Sequence, residues 1–180
     1  MDVMLDIETL STTTNSVILT IGAIKFSRYK TLKSIKKDDL FYRRVDISSC
    51  IKLDMDISEK TIDWWYQQNE ECRNEAFNKN QRYSIDKVLK EFNEWFGLSK
   101  YIWSHGDDFD ITILKNAYDK CKLTPPWKYW NTRDTRTLFD ITSINLKTFV
   151  GTNRHHPLYD CLYQILALQD SFKILKKLKI

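Results

Sequence analysis

The segment Met4-Leu5-Asp6-Ile7-Glu8-Thr9 constrains this chain more than any other stretch of it. Residues two apart on a β-strand point to the same face, so Asp6 and Glu8 project side by side from otherwise apolar surroundings. Adjacent carboxylates on a core strand are costly unless a cation compensates them. Oxygen ligands at this spacing suit Mg²⁺ or Mn²⁺. A strand end whose acids face water would read the same way, and the fragment alone leaves both open.

The rest of the first third is also strand-like. Asp2–Ile7 is short and apolar, Ser16–Phe26 carries Val17, Ile18, Leu19, Ile21 and Ile24, and Leu40–Val45 is a third β-rich run. Polar Ser11–Asn15 reads as the loop between the first two. The middle turns helical. Ser58–Asn69 holds Ile62, Trp64, Trp65 and Tyr66, with Asp56 and Glu59 at capping-box spacing near its start. Ser84 opens an amphipathic helix bearing Val88, Leu89, Phe92, Trp95 and Phe96, and Gly97 ends it. Tyr101–Ser104 is a short strand, Asp107–Cys121 a helix, and Trp127–Asn131 another strand. From Pro157 the pattern is helical to the C-terminus, where Lys173, Lys176, Lys177 and Lys179 suit the negative end of the helix dipole. Strands followed by alternating helix and strand predict an α/β fold with a mixed sheet.

At 180 residues, 42% of them hydrophobic, the chain is expected to form one domain over residues 1–180. Cys50, Cys72, Cys121 and Cys161 are too far apart for a structural zinc site or a redox pair and read as reduced thiols. No apolar run approaches the ~20 residues of a membrane span, and no signal peptide opens the sequence, so a cytoplasmic protein without a membrane partner is expected. The net charge of +4 is mild. If carboxylates gather at a metal, however, the remaining surface is more basic than the sum suggests.

Two further segments carry acids. In Trp103-Ser104-His105-Gly106-Asp107-Asp108-Phe109-Asp110, a strand leads into a helix. Asp107 and Asp108 could simply cap that helix, whereas Asp110 falls a turn inside it. In His155-His156-Pro157-Leu158-Tyr159-Asp160, Pro157 suits the first helical position. That leaves His155 in the preceding loop and Asp160 about one turn inside, able to converge from different backbone segments. Phosphodiester hydrolysis needs an activated water and a stabilised pentacoordinate charge, and two cations ~3.5–4 Å apart supply both. Four carboxylates can seat such a pair, and an imidazole titrating near neutrality can take the water's proton.

These segments resemble the DEDDh 3′–5′ exonucleases of the RNase H-like fold, which include RNase T, oligoribonuclease and polymerase proofreading subunits. Asp6, Glu8 and Thr9 match the first motif, Asp-x-Glu-Thr; Phe109 and Asp110 match the second; His155 and Asp160 match the third, His-x4-Asp. Thr61-Ile62-Asp63-Trp64-Trp65 and Tyr129-Trp130-Asn131-Thr132-Arg133-Asp134-Thr135-Arg136 are most similar to the branch holding the T-even phage exonuclease A and bacterial 3′-exoribonucleases. Gly106 stands where many relatives carry Asn.

The resemblance implies a central five-stranded mixed β-sheet flanked by α-helices. It also implies a metal-dependent 3′–5′ exonuclease releasing nucleoside monophosphates from DNA by two-metal-ion hydrolysis, with single-stranded RNA or 3′ overhangs as the alternative substrate. Asp6, Glu8, Asp110 and Asp160 would hold two Mg²⁺ or Mn²⁺ ions. His155 would be the general base, and Thr9 with Leu10 would contact the terminal nucleotide. A single-stranded 3′ end is the expected partner, and both a monomer and a homodimer remain open. Trp65 and Phe109, like Trp64 and Tyr66, could stack on bases or fill the core. Arg133 and Arg136 could bind phosphate or pair with acids. An RNase H-type endonuclease and an inactive binding module are the rival readings, separable by a circular substrate and by metal-dependent cleavage respectively.

Overall fold

The structure is a computed structural model that describes residues 1–180 except 33, 152–154, 179 and 180, so the reading of Lys179 lies outside the described residues. Its strands are β1 (Asp2–Thr9), β2 (Ile18–Phe26), β3 (Leu40–Val45), β4 (Arg82–Tyr83), β5 (Tyr101–Ser104) and β6 (Thr132–Asp134). They form one sheet in the order β4-β3-β2-β1-β5-β6. β1, β2 and β3 pair antiparallel, while β5 runs parallel to β1 and β6 parallel to β5. The expected five-stranded mixed sheet is present, and the two-residue β4 extends it at one edge.

The helices are α1 (Ile47–Ile51), α2 (Glu59–Gln67), α3 (Glu70–Ala76), α4 (Ile85–Phe96), α5 (Asp110–Lys120), α6 (Thr135–Thr142) and α7 (Pro157–Lys177). None of the described helices is long and apolar enough to cross a membrane. Strand alternation divides the core. Val3, Leu5 and Ile7 join Val88, Leu89, Phe92 and Phe96 of α4 and Leu114 and Tyr118 of α5 on one face. Met4 joins Ile24, Phe26, Phe139 of α6 and Ile165 and Leu168 of α7 on the other. Asp6 and Glu8 continue the Met4 row, so period-2 geometry delivers them to the α7 side.

Several sequence expectations are corrected. The expected strand Trp127–Asn131 is a loop ending in a 3₁₀ turn, Tyr129–Asn131, and pairing with β5 begins only at Thr132. Its aromatics suggested a strand, yet Tyr129 and Trp130 are exposed, so no sheet face selects them. Asp56 does not cap α2. Ser58 holds that position, and the Asp56 carboxylate accepts instead from Thr13 Oγ1 (2.8 Å) and Asn15 Nδ2 (3.0 Å), closing the β1–β2 loop. The helix expected from Asp107 begins at Asp110, because residues 107–109 form the turn that precedes it.

Two local features bring α7 to the sheet. Gly22 lies opposite Asp6 in the β1–β2 register. A Cβ on Gly22 would meet Pro157 Cβ at 2.4 Å, so only a glycine lets the start of α7 rest there. The β1–β2 register then shifts between Glu8 and Thr9. Such an irregularity re-aims side chains at a strand end.

Candidate active site

The carboxylates meet where β1 outruns its parallel neighbour. Pairing with β5 ends at Met4↔Trp103, and the chain turns away into α5. The Ile7 N–H beyond that point donates to Asp110 Oδ1 (3.2 Å), which anchors the α5 start against β1. From the other side α7 brings Asp160. Its Oδ2 accepts the backbone N–H of His155 at 3.0 Å. His155 has φ +59°, a left-handed conformation uncommon outside glycine and characteristic of functional sites. Asp160 therefore sets the position of the residue five places before it. Ligand atoms of Glu8, His155 and Asp160 all lie within 4.8 Å of one another.

Asp6, Glu8, Asp110, His155 and Asp160 line a single cleft of about 670 Å³. Burial, followed by repulsion from Asp110, Asp160 and Glu8, raises the Asp6 carboxyl well above its usual range; the Gln164 hydrogen bond offsets part of this. Burial and the charges of Asp160 and Asp110 raise Glu8 likewise. Burial carries Asp110 up to about 7, against the Ile7 N–H and the Arg136 charge that hold it down. Clustered acids of this kind are at odds with ionisation near neutrality unless a cation joins them. The donor set, carboxylate oxygens with one imidazole, suits a hard divalent ion.

Gln164 was not singled out in the sequence. Its Nε2 donates to Asp6 Oδ1 at 3.1 Å, and its Oε1 is buried without a hydrogen-bond partner. Its offset of four from Asp160, which puts both on one face of α7, was the available signal. A buried amide oxygen left unmatched beside a carboxylate fits a site that takes up a cation or its water. Gly22 was also missed, although a glycine inside an apolar strand signals close backbone approach.

The adjacent histidines separate cleanly. His156 caps α7, its Nδ1 accepting from Leu158 N (3.3 Å), and its ring stacks on Tyr42 at 5.1 Å. His155 faces the acids, with the Trp64 ring edge-on at 4.9 Å. His105, also in the cleft, has Nδ1 2.9 Å from Thr135 Oγ1.

A second hollow adjoins the Glu8 side of the cleft, lined by Thr9, Thr12, Thr61, Trp64, Trp65 and Phe109, with Ile7, Glu8 and Phe109 shared between the two. Trp64 is 39% exposed there, whereas Trp65 is only 2% exposed and its Nε1 donates to Thr9 O at 2.9 Å. Of the pair, Trp64 presents the open ring and Trp65 braces Thr9 from below. Phe109 is half-buried at the boundary, and Thr9 is buried with its hydroxyl donating to Ser11 O (2.7 Å). Leu10 is buried in the main core and lines neither hollow.

Comparison with known proteins bears on the fold and the family. An exodeoxyribonuclease of Enterobacteria phage T4 is 24% identical over 96% of this chain and 89% of its own. The zinc-bound E. coli ExoI–ssDNA complex superposes with a TM-score of 0.61 at 12% identity over 99% of this chain, which spans 40% of the ExoI chain. Exonuclease X in complex with 5′-overhanging duplex DNA superposes with a TM-score of 0.52 at 19% identity, covering 100% of this chain and 94% of that one. Both structural likenesses speak to the fold. The family described as the 3′–5′ exoribonuclease Rv2179c-like domain matches residues 1–172, and the chain belongs to this family of 3′–5′ exonucleases.

Proposed function

We propose that the chain removes nucleoside 5′-monophosphates one at a time from the 3′ end of single-stranded DNA, using two Mg²⁺ or Mn²⁺ ions held by Asp6, Glu8, Asp110 and Asp160. The observation that carries this reading is the convergence of these four acids and His155 on one cleft, with ligand atoms of Glu8, His155 and Asp160 within 4.8 Å. The ions, when bound, would supply the positive charge that makes water acidic and offsets the charge of the pentacoordinate phosphorus.

The chain's own residues do the rest. The attacking water gives its proton to the His155 imidazole as its oxygen bonds to phosphorus. The bond to the 3′ oxygen of the preceding nucleotide breaks, and that oxygen leaves protonated by solvent. The His155 N–H bond to Asp160 and the edge-on Trp64 ring support this role, because they fix backbone and ring before substrate arrives. Thr9, Phe109 and the open face of Trp64 would receive the terminal nucleoside, and Leu10 and Trp65 would act beneath it as support. Stacking on such rings contributes ~1–3 kcal/mol per base without selecting a sequence.

The DNA reading draws on the T4 exodeoxyribonuclease, which matches nearly the whole chain. The family's description as an exoribonuclease domain favours RNA as the second reading. Both are tested with 5′-labelled single-stranded DNA and RNA of one sequence in Mg²⁺, Mn²⁺ or EDTA. The expected result is a metal-dependent ladder shortening from the 3′ end, faster on DNA, with His155→Ala slowing the rate by ~10²–10⁴ at unchanged fold. Faster RNA shortening would reverse the substrate order. Full activity in EDTA would overturn the metal-dependent chemistry.

A further inference from the structure

The proposed function leaves part of the cleft unassigned. Besides the carboxylates, His105, Arg136, Phe139, Asn145 and Lys147 line the cleft, and the hollow at Thr9 and Trp64 adjoins it through Ile7, Glu8 and Phe109. If the terminal nucleoside occupies the hollow and the scissile phosphate lies over the acids, the remainder of the strand leaves past these cleft residues.

Arg136 stands at that exit in an unusual setting. Asp134 clamps the two loops around it, Oδ1 accepting from Gly106 N (3.0 Å) and from Arg136 N (2.9 Å). Thr135 Oγ1 ties the same junction to Ser104 O at 3.1 Å. Gly106 has φ +109°, and a Cβ there would lie 2.8 Å from Arg136 Nη1 and 2.9 Å from Cζ. The guanidinium thus lies flat on a glycine that no L side chain could replace without displacing it. Among the described residues the Arg136 side chain has neither a hydrogen bond nor an ion pair. Arg133, by contrast, spends Nη1 on Trp130 O (2.8 Å) and Thr132 O (2.6 Å) and stacks over Tyr101. A positioned guanidinium with all its donors uncommitted, beside a metal-binding cluster, is built for an oxyanion. Lys147 lines the same cleft and is exposed.

We propose that Arg136, assisted by Lys147, binds the phosphodiester immediately 5′ of the scissile bond, making this part of the cleft a subsite for the upstream polynucleotide strand. This rests on the exonuclease reading and adds a substrate requirement: efficient cleavage needs at least one phosphodiester beyond the one being cut. A free nucleoside monophosphate cannot fill this subsite, so the product gains nothing from it and leaves more easily than the strand.

The test compares two substrates in Mn²⁺. One is a single-stranded oligonucleotide. The other is the p-nitrophenyl ester of thymidine 5′-monophosphate, which offers a terminal nucleotide and a cleavable phosphodiester but no upstream phosphate. Arg136→Ala is expected to raise the oligonucleotide KM by ~10- to 100-fold, the scale of one charge-assisted hydrogen bond. At pH 8 and saturating Mn²⁺, where the loss of the Arg136 charge near Asp110 is compensated, hydrolysis of the ester should stay within about threefold of wild type, and Arg136→Lys should recover part of the oligonucleotide loss. The slope of log KM against log salt should fall by ~0.7, as expected for one lost phosphate contact on a single strand. Equal losses on both substrates would overturn the proposal by placing Arg136 at the reacting centre, and no loss on the oligonucleotide would overturn it outright. Wild-type protein inert on both substrates would instead remove the exonuclease reading, a failure distinct from either.

Discussion

The two faces of β1 are made from the same eight residues and do opposite things. Val3, Leu5 and Ile7 bury against α4 and α5 in the larger core. Met4, Asp6 and Glu8 face α7, and past Met4 that row changes from packing to charge. One face contributes stability through apolar area removed from water. The other gives some of it up, since burial raises the Asp6 and Glu8 carboxyls well above their usual range. Strand periodicity keeps these demands apart, so a chain can hold a costly acidic cluster one residue away from its best-packed core.

That comparison is broken most sharply by exchanging the roles of Asp6 and Leu5. Asp6→Asn is expected to abolish metal-dependent cleavage while raising the melting temperature of the metal-free protein at pH 8, because a carboxyl whose ionisation the fold opposes is replaced at nearly constant shape. Leu5→Ala is expected to cost roughly 2–5 kcal/mol of stability, read by denaturant unfolding, as for other buried leucines. At temperatures where it stays folded, its cleavage rate should remain close to wild type. A stability loss in Asp6→Asn comparable to that of Leu5→Ala would mean the acids are structural.

A smaller effect is expected at Gly22, where the α7 face meets the sheet. Gly22→Ala places a methyl group 2.4 Å from Pro157 Cβ and pushes α7 outward. Overpacking of this kind costs about 1–3 kcal/mol. Because Asp160 rides on α7, metal affinity measured by calorimetry should weaken as well. Loss of stability with unchanged metal affinity would show that the proposed ligand Asp160 does not depend on this contact.

Most of this architecture was legible in the sequence wherever one signal had one cause. The alternating apolar residues of β1 and β2, the periodic face of α4 and Pro157 at the start of α7 each predicted their elements, and the resemblance of the acid and histidine motifs to the exonucleases pointed to residues that line one cleft. The departures came where tertiary context overrode local signals. Trp127–Asn131, rich in aromatics, read as a strand but ends in a 3₁₀ turn with Tyr129 and Trp130 exposed. Asp56 had the spacing of a cap, yet the β1–β2 loop captures it. Trp64 and Trp65 are indistinguishable in sequence, and only their packing separates the open ring from the brace under Thr9. The parts of Gly22, Gln164 and Gly106 depend on what lies across from them, which no local pattern records.

The central claim is that the α7 face of β1 is a cation site whose carboxylates cost stability until an ion arrives. Its most direct test is the melting temperature from pH 7 to 8, in EDTA and in Mn²⁺. Acids with folded pKa values raised above their unfolded ones, Asp110 at about 7 with Asp6 and Glu8 also raised, favour the fold while protonated and lose that contribution as pH rises. His105 and His156, held low by burial, act in the opposite sense, but most of their contribution is complete above the unfolded value of about 6.5, and Glu75 and Asp86, also held low, are already ionised. The account predicts a melting temperature that falls with pH in EDTA and is raised by Mn²⁺, more at pH 8 than at pH 7, by roughly 5 °C or more at the upper end. A melting temperature flat with pH in EDTA and unmoved by Mn²⁺ would contradict it.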